Sequence, residues 1–435
     1  MKFPDLLATK PGRLFAFFAL YLTEGIPLGF TATAIATQMR RAGVGPAEIG
    51  AFVGTLYLPW AFKWVMGPFV DVLSSERFGR RRLWIVLTQA LMVMMLMVAM
   101  PIDFTTELKV FTIVILGLNF FAATQDVAID ALAVNVLGEK ERGLANGLMF
   151  GGAYLGQAVG GAGVLFLIPY TGMPATFVFV AAVLLSVTLF VALPMREPKG
   201  PLRARSEGSV LAAVGRDLGQ FAREAFRAFT GSRAAWVGVI FALLPGGAYA
   251  LSLSLQSNLA VEFGLSDQKV AKLALISTVI SATCCVFGGW LSDRFGRRRM
   301  LAIFYVMTAI PGAVLAWVMY REGWIMPVDP QWKDRPVPSE LLITVYWSAC
   351  IVFAVFHGLM YGTRTALFMD ITTPAVAATQ FTAYMAMMNL VITYSATWQG
   401  HAIELWGYPM TLLLDGVAGL VCLACLPFLV RPAAR

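Results

Sequence analysis

The chain has 435 residues, of which 58% are hydrophobic and only 13% are charged, and its formal net charge is +8. Its mean hydropathy is +0.73. The charged share is about half of that in ordinary soluble domains, so too few charged side chains are present to cover a water-soluble fold of this size. Soluble enzymes, disordered chains and fibrous proteins are thereby excluded, and the composition predicts a polytopic membrane protein.

Twelve membrane-spanning helices are predicted. The apolar stretches are about 20 residues or longer, enough to cross the hydrocarbon core as helices, whereas the strands of outer-membrane barrels are shorter and alternate in polarity. The predicted spans are residues 12–38, 49–71, 82–101, 110–137, 144–169, 174–194, 234–258, 270–292, 299–320, 341–366, 376–399 and 408–430. The sequence therefore predicts an all-α integral membrane protein with 12 transmembrane helices.

Lysine and arginine fall mainly in alternate loops, which indicates the orientation of the spans. If the N-terminus is cytoplasmic, the inner segments hold 23 of these residues and the outer segments hold 8. We therefore expect a multi-pass membrane protein with both termini in the cytoplasm. The net charge of +8 suits the anionic headgroups of a lipid bilayer, and no nucleic-acid partner is needed to explain it.

The longest inner segment divides the chain into two halves of six spans each. Residues 1–195 form the predicted N-terminal bundle, residues 196–233 a cytoplasmic linker, and residues 234–435 the C-terminal bundle. The linker opens with a Pro- and Gly-containing string and continues with apolar residues at helical spacing. It is predicted to contain an amphipathic helix that lies on the membrane surface and tethers the halves.

The two halves share a repeated string. Arg-Phe-Gly-Arg-Arg-Arg stands at residues 77–82, after span 2, and again at residues 294–299, after span 8. A six-residue identity at matching positions indicates an internal duplication. Duplicated six-helix halves are typical of alternating-access transporters, in which the substrate site lies between the halves near the bilayer midplane.

The second copy lies in the motif Gly289-x-x-x-Asp293-Arg294-x-Gly296-Arg297-Arg298, which resembles the signature loop of the major facilitator superfamily. The first copy keeps Gly67 and Asp71 but inserts five residues before Arg77. The resemblance implies two pseudo-symmetric six-helix bundles and charge contacts at these loops that latch the halves in one state. The implied gating residues are Gly67, Asp71, Arg77, Gly79 and Arg80 in the first copy, and Gly289, Asp293, Arg294, Gly296 and Arg297 in the second.

A narrower resemblance covers most of both halves. The strings Tyr21–Leu28 (YLTEGIPL), Pro59–Trp64 (PWAFKW), Gln125–Asp130 (QDVAID) and Ala378–Phe381 (ATQF) are similar to those of AmpG-like permeases. That group includes muropeptide permeases and acetyl-CoA transporters, and it lies close to a set of siderophore importers. The resemblance implies a proton-coupled importer in the bacterial inner membrane, which takes up a bulky polar solute such as a muropeptide, a peptide-like compound or a siderophore.

Glycines recur on span 5 with the spacing of the glycine motif of exporters in this superfamily. They are Gly143, Gly152, Gly156, Gly160 and Gly161. The exporter motif has proline after the third glycine, where this chain has Gln157. We therefore interpret the glycines as a face on which two helices approach closely, and as evidence against export.

Ionisable side chains inside membrane spans are costly and rare, so each is a candidate functional group. Five lie deep in the predicted spans: Glu24, Lys63, Asp126, Asp130 and Arg364. Helix rise puts Glu24 and Asp126 about 15 Å from the span ends, near the midplane. Asp130 lies one turn away on the face of Asp126. In the resembled family spans 1, 4, 7 and 10 line the cavity, and four of the five residues lie on these spans.

Three acidic and two basic residues leave one carboxylate without a partner, which is costly in a low dielectric. That carboxylate is expected to hold a proton until a pathway or a cation relieves it, as a proton-coupling site requires. We favour this role for Asp126 and Asp130. Structural ion pairs, of Asp126 with Arg364 or of Glu24 with Lys63, are the alternative.

Uncharged polar side chains complete the predicted cavity, because several share a helical face with the deep charges or form a stripe on span 7. The predicted substrate and proton cavity comprises Glu24, Lys63, Asn119, Gln125, Asp126, Asp130, Tyr249, Ser252, Gln256, His357 and Arg364. A satisfied core histidine is the favoured interpretation of His357.

The sequence gives no sign of an enzyme or a metal site. It has two histidines, no nucleophile motif and no phosphate-binding Gly-x-x-x-x-Gly-Lys string. Cys422 and Cys425 have C-x-x-C spacing but lie in a predicted span without further ligands, so a role in helix packing is favoured over metal binding.

We expect a monomeric secondary transporter of a small-molecule substrate, driven by the proton gradient without another cofactor. An exporter of drugs or metabolites, or an acetyl-CoA-type transporter, is the alternative.

Overall fold

A computed structural model gives the fold and describes residues 5–72, 78–137, 139–197, 210–230, 233–372 and 377–429. Within these ranges every regular element is helical, and nine helices are long and apolar enough to cross a membrane. The predicted all-α membrane fold is thereby confirmed. Two compact units are present: residues 1–31 with 62–223 form unit 1, and residues 32–61 with 224–435 form unit 2. The bundle boundaries at residues 195 and 234 stay a prediction.

The helices follow the predicted spans in chain order. Up to the linker they are α1 Lys10–Gly29, a π-helix Phe30–Ile35, α2 Ala36–Arg41, α3 Pro46–Leu56, α4 Leu58–Ala61, a 3₁₀ turn Lys63–Val65, α5 Met66–Val72, α6 Arg80–Ala99, α7 Leu108–Val136, α8 Glu139–Ala158, a π-helix Val159–Gly163, α9 Val164–Thr171, α10 Met173–Val187 and a π-helix Thr188–Ala192. The linker contains α11 Val210–Thr230, at the place of the predicted amphipathic helix.

The remaining helices belong to the second half of the chain. They are α12 Arg233–Leu243, a 3₁₀ turn Ala250–Ser252, α13 Ser254–Glu262, α14 Asp267–Phe295, α15 Arg297–Arg321, α16 Glu340–Ile371, α17 Ala377–Leu420 and a 3₁₀ segment Val421–Phe428. Helix α17 covers predicted spans 11 and 12 and is interrupted at Gly407, whose φ of 79° is non-helical.

Predicted spans 2 and 7 are not continuous helices, which corrects the sequence-based expectation. Span 2 is divided at Phe62 and the 3₁₀ turn after it. Span 7 is divided between α12 and α13, and the interruption begins at Pro245-Gly246-Gly247, with Gly247 at a φ of 77°. Proline cannot donate a backbone hydrogen bond and glycine tolerates positive φ, so these residues interrupt the helix within the predicted span.

The glycines of span 5 are a packing face in unit 1. A Cβ atom on Gly156 would lie 2.3 Å from the carbonyl oxygen of Leu22, and one on Gly160 would lie 2.0 Å from that of Ile26. Only glycine leaves room for α1 to approach α8 and the π-helix Val159–Gly163 this closely. This contact fixes the position of α1, which carries Tyr21 and Glu24.

Residues 32–61 belong to unit 2 because buried polar contacts hold them there. Arg40 Nη2 lies 2.7 Å from Glu262 Oε1, with the two side chains 4% and 0% exposed. The backbone N–H of Val328 donates to the other carboxylate oxygen of Glu262 at 2.9 Å, and Tyr408 Oη also donates to Glu262. The glutamate charge is thus satisfied by three donors, as a buried charge requires.

Candidate functional site

Unit 1 contains a buried ion pair at the break in span 2. Lys63 Nζ lies 2.6 Å from Asp126 Oδ2 of α7, and the two side chains are 19% and 3% exposed. The break after Phe62 brings the ammonium group to α7, because the 3₁₀ turn at Lys63–Val65 redirects the chain there. Asp126 therefore pairs with Lys63, and within the described part of unit 1 Lys63 forms no ion pair with Glu24, the partner considered for it from the sequence.

Two further carboxylates lie beside this pair. Tyr21 Oη donates a hydrogen bond of 2.5 Å to Asp130 Oδ1. Glu24 lies within electrostatic range of Asp126, Lys63 and Asp130, and its Oε2 is buried without a hydrogen-bond partner among the described residues. The cluster thus gathers three acidic groups around a single ammonium. We call Tyr21, Glu24, Lys63, Asp126 and Asp130 the carboxylate cluster.

A buried network of amide and hydroxyl side chains connects α1, α6, α7 and the π-helix Thr188–Ala192. Gln125 Nε2 donates to Thr23 Oγ1 at 2.8 Å, and Gln89 Nε2 donates to the same oxygen at 3.2 Å. Thr188 Oγ1 in turn donates to Gln89 Oε1 at 2.7 Å. The network fixes α1 against α6 and α7, so Gln125 acts on the position of the cluster rather than within it.

Sequence reasoning missed several of these partners. Tyr21 and Thr23 belong to the YLTEGIPL string, but the sequence predicts only Glu24 of that string as a site residue, because only Glu24 is charged. Asn119 lies apart: its Nδ2 donates to Ile115 of its own helix at 3.0 Å, and its Oδ1 is buried without a partner among the described residues. A shared helical face did not bring Asn119 a partner in the carboxylate cluster.

Arg364 lies in unit 2, fully buried at the break in span 7. Its Nη2 donates to the carbonyl oxygens of Phe241 at 2.8 Å and Leu244 at 3.0 Å, and its Nη1 donates to Tyr249 Oη at 3.1 Å. Its guanidinium carbon lies 5.1 Å from the ring centre of Phe241, within cation–π range. Arg364 therefore satisfies the free carbonyl groups at the end of α12.

Asp415 satisfies the other side of the same break. Its Oδ2 accepts from the backbone N–H groups of Tyr249 and Ala250 at 2.8 and 2.9 Å, and its Oδ1 accepts from Gln399 at 2.8 Å. Broken helices are tolerated within membranes only where the freed backbone groups find partners. The two opposite charges supply those partners at the two ends of the interruption.

The predicted polar stripe on span 7 is not formed, because the break removes the helical register on which it depended. Tyr249 lies in the irregular segment, Ser252 ends a 3₁₀ turn and Gln256 lies in α13. Ser252 Oγ donates to the backbone oxygen of Tyr249 at 2.8 Å. His357 stacks on Phe353 with ring centres 5.3 Å apart and lies 6.3 Å from the Tyr249 ring.

The signature loop of the second half turns at Gly296, whose φ is 92°. Arg297 lies 2.8 Å from both Asp293 and Asp370, and Arg294 lies over the rings of Trp290 and Phe295. A Cβ on Gly289 would meet nothing within 4 Å. Asp293 thus pairs with the arginine one turn later, and its role as a latch between the halves stays a prediction.

The loop of the first half repeats the turn. Gly79 has a φ of 88° and precedes Arg80, the first residue of α6. The backbone N–H groups of Arg81 and Arg82 donate to Glu197 at 2.8 and 3.2 Å. A Cβ on Gly67 would meet nothing within 4 Å. The Asp71 side chain and all of Arg77 lie outside the described residues.

No group of three or more His, Cys, Asp or Glu side chains that could hold a metal ion is found in the described part of the chain. The five cysteines are free thiols, and Cys422 Sγ donates to the backbone oxygen of Gly419 at 3.1 Å. The carboxylate cluster brings together carboxylates, an ammonium and a phenol, which are groups that can exchange protons.

The comparisons with known proteins agree on one family. The profile of the Major Facilitator Superfamily matches residues 14–396. The anhydromuropeptide permease of Escherichia coli is 26% identical over 411 residues, which cover 92% of this chain and 76% of that protein. Among solved structures, a D-xylose-proton symporter has a TM-score of 0.71 at 13% identity. The match covers 97% of this chain and 98% of the symporter chain. The nucleoside transporter NupG has a TM-score of 0.67 at 15% identity, covering 95% and 98%. The chain therefore belongs to the Major Facilitator Superfamily and is a multi-pass membrane transporter, not an enzyme.

Proposed function

We propose that the protein is a proton-coupled symporter in which the carboxylate cluster carries the proton. The observation behind this proposal is the charge balance of the carboxylate cluster. Among its described residues, Glu24, Asp126 and Asp130 surround one ammonium group, that of Lys63. Three ionised carboxylates and one cation would leave a net charge of −2 in a site of low dielectric. The cluster is most stable when it holds at least one extra proton.

The proton couples to transport if the solute alters this balance. Each bound proton reduces the net negative charge of the cluster by one, which lowers the cost of closing the site around solute. Opening of the site toward the less acidic side of the membrane would then release the proton. Asp130 is the proposed entry group, because it is half-buried and joined to Tyr21 Oη. Asp126 is the proposed storage group, because it is buried and paired with Lys63.

The proposed solute is a bulky polar compound taken up across a bacterial inner membrane. The relative from Escherichia coli is named for anhydromuropeptide, which supports a sugar that carries a peptide as the first candidate. A peptide-like compound and a siderophore are tested beside it. We further propose that both termini face the cytoplasm, that the protein functions as a monomer and that the proton gradient is its only driving force.

The test uses purified protein in liposomes with an imposed pH gradient and labelled anhydromuropeptide. Asparagine keeps the shape of aspartate but cannot exchange a proton, so Asp126→Asn and Asp130→Asn should each lose gradient-driven accumulation. At least one of the two should retain exchange of labelled for unlabelled solute, since exchange requires no net proton movement. Asp103→Asn, in the loop before α7, is the matched control and should accumulate normally.

The outcomes of this test separate three questions: which residues carry the proton, in which direction the solute moves, and which solute is transported. If both variants accumulate solute as the unsubstituted protein does, the proton is carried elsewhere and the proposal is wrong. If the gradient drives efflux of the solute instead, the protein is an exporter. If a peptide or a siderophore is accumulated and the muropeptide is not, the coupling proposal holds and the choice of solute is wrong.

A further inference from the structure

Unit 2 contains a cavity of about 780 Å³ that the transport proposal does not use. It lies between the beginning of α15, the end of α16 and the 3₁₀ segment that follows α17. Its walls are apolar and include Leu367, Ile371, Leu423, Leu426 and Leu429. A cavity with such walls, at the ends of membrane helices, favours hydrocarbon over a fully polar ligand.

The mouth of the same cavity is cationic. Gly296, Arg297, Arg298 and Arg299 line it, together with one acidic residue, Asp370. Arg297 is neutralised by Asp293 and Asp370, each at 2.8 Å. Arg298 and Arg299 are exposed, and neither has an acidic side chain within ion-pair distance among the described residues. Two guanidinium groups are therefore available to a ligand at the edge of an apolar cavity.

We propose that this cavity binds one anionic phospholipid, with the headgroup phosphate on Arg298 and Arg299 and an acyl chain against the leucines. Arginine forms paired hydrogen bonds with phosphate oxygens, and basic pockets between membrane helices suit anionic headgroups. A soluble anion would use the arginines but not the apolar wall. A neutral lipid would use the wall but leave both guanidinium charges without a counterion. Only an anionic lipid satisfies both surfaces.

The test measures thermal unfolding of the purified full chain in a neutral detergent, as a function of added short-chain phosphatidylglycerol. Lipid that binds the folded state raises the unfolding midpoint, and the rise grows with the logarithm of the lipid concentration divided by its Kd. The double variant Arg298→Gln/Arg299→Gln should require about 30-fold more lipid for the same shift, since each basic side chain contributes about a fivefold factor in affinity. Arg321→Gln, at the opposite end of α15, is the matched control and should respond as the unsubstituted chain does.

A second variant tests the apolar wall while keeping the charges. Ala302 lines the cavity, so Ala302→Phe should fill part of it and weaken the response to phosphatidylglycerol. Phosphatidylcholine and glycerol phosphate serve as ligand controls and should give little shift. The proposal is overturned if glycerol phosphate stabilises the chain equally, if phosphatidylcholine does so, or if the arginine variant responds like the control.

Discussion

Lys63 determines the charge balance of the carboxylate cluster, because it is the ammonium that lies among Glu24, Asp126 and Asp130. A buried ion pair contributes little over an apolar pair of the same shape, but removing one partner alone leaves the other charge buried and uncompensated. The consequences of losing Lys63 therefore depend on whether the carboxylates can take up protons.

We predict that Lys63→Met lowers the unfolding free energy by about 3 kcal/mol at pH 8, where the carboxylates are most ionised. The loss should be smaller at pH 5.5, because bound protons then neutralise the carboxylates in place of the ammonium. Asp126→Asn in the same chain should restore part of the loss, since the charge left without a partner is removed. Denaturant unfolding at the two pH values measures both effects. Lys109→Met, on an exposed side chain, is the control, and an equal loss there would contradict the argument.

At the scale of helices, the contact between α1 and α8 positions Tyr21 and Glu24 of the carboxylate cluster. We predict that Gly156→Ala destabilises the protein by about 1–3 kcal/mol, because its Cβ would lie 2.3 Å from the Leu22 carbonyl oxygen and the helices must separate. Gly151→Ala, on the same helix with nothing within 4 Å of its Cβ, should be neutral or stabilising. Thermal unfolding of both variants checks the difference, and similar midpoints would show that the close approach is not required.

The positions of the membrane spans could be predicted from the sequence, but the interruption of span 7 and the partner of Asp126 could not, for physical reasons. Hydropathy identified the positions of the spans because a membrane helix must be apolar over about 20 residues. It did not identify the interruption of span 7, since Pro245, Gly246 and Gly247 barely alter a hydropathy average, although their backbone properties signal a break. Nor could it choose Lys63 over Arg364 as the partner of Asp126, because helix adjacency is not encoded in the spacing of charges along the chain.

Arg364 and Asp415, the two buried charged residues at the interruption of span 7, also show what the sequence alone leaves undecided. The sequence predicts Arg364 as part of the substrate and proton cavity, whereas in the structure its guanidinium donates to the backbone carbonyls of Phe241 and Leu244. A charge inside a membrane span signals that something polar is nearby, but the polar group can be the backbone of a broken helix. Charge alone therefore does not separate a solute contact from a support of the fold.

At the scale of the whole molecule, the distribution of lysine and arginine predicts that α11 is cytoplasmic and that the loop of residues 322–339 is external, since 23 basic residues fall on one side and 8 on the other. The structure indicates where single cysteines report this orientation best. Val337 is 90% exposed in the loop, whereas Ser339 accepts a hydrogen bond that caps α16 and is better left intact. Ala222 is exposed on α11.

In a chain whose five native cysteines are replaced, Val337→Cys should react with a membrane-impermeant maleimide added to intact cells, and Ala222→Cys should react only after the membrane is opened. The expectation follows from the cost of moving charge across the bilayer, which keeps loops rich in lysine and arginine on the cytoplasmic side. The predicted orientation is wrong if Val337→Cys is labelled only in opened cells and Ala222→Cys is labelled in intact cells. Reversal would also place Arg298 and Arg299 on the outer side of the membrane, where the proposed phospholipid would have to come from the outer leaflet.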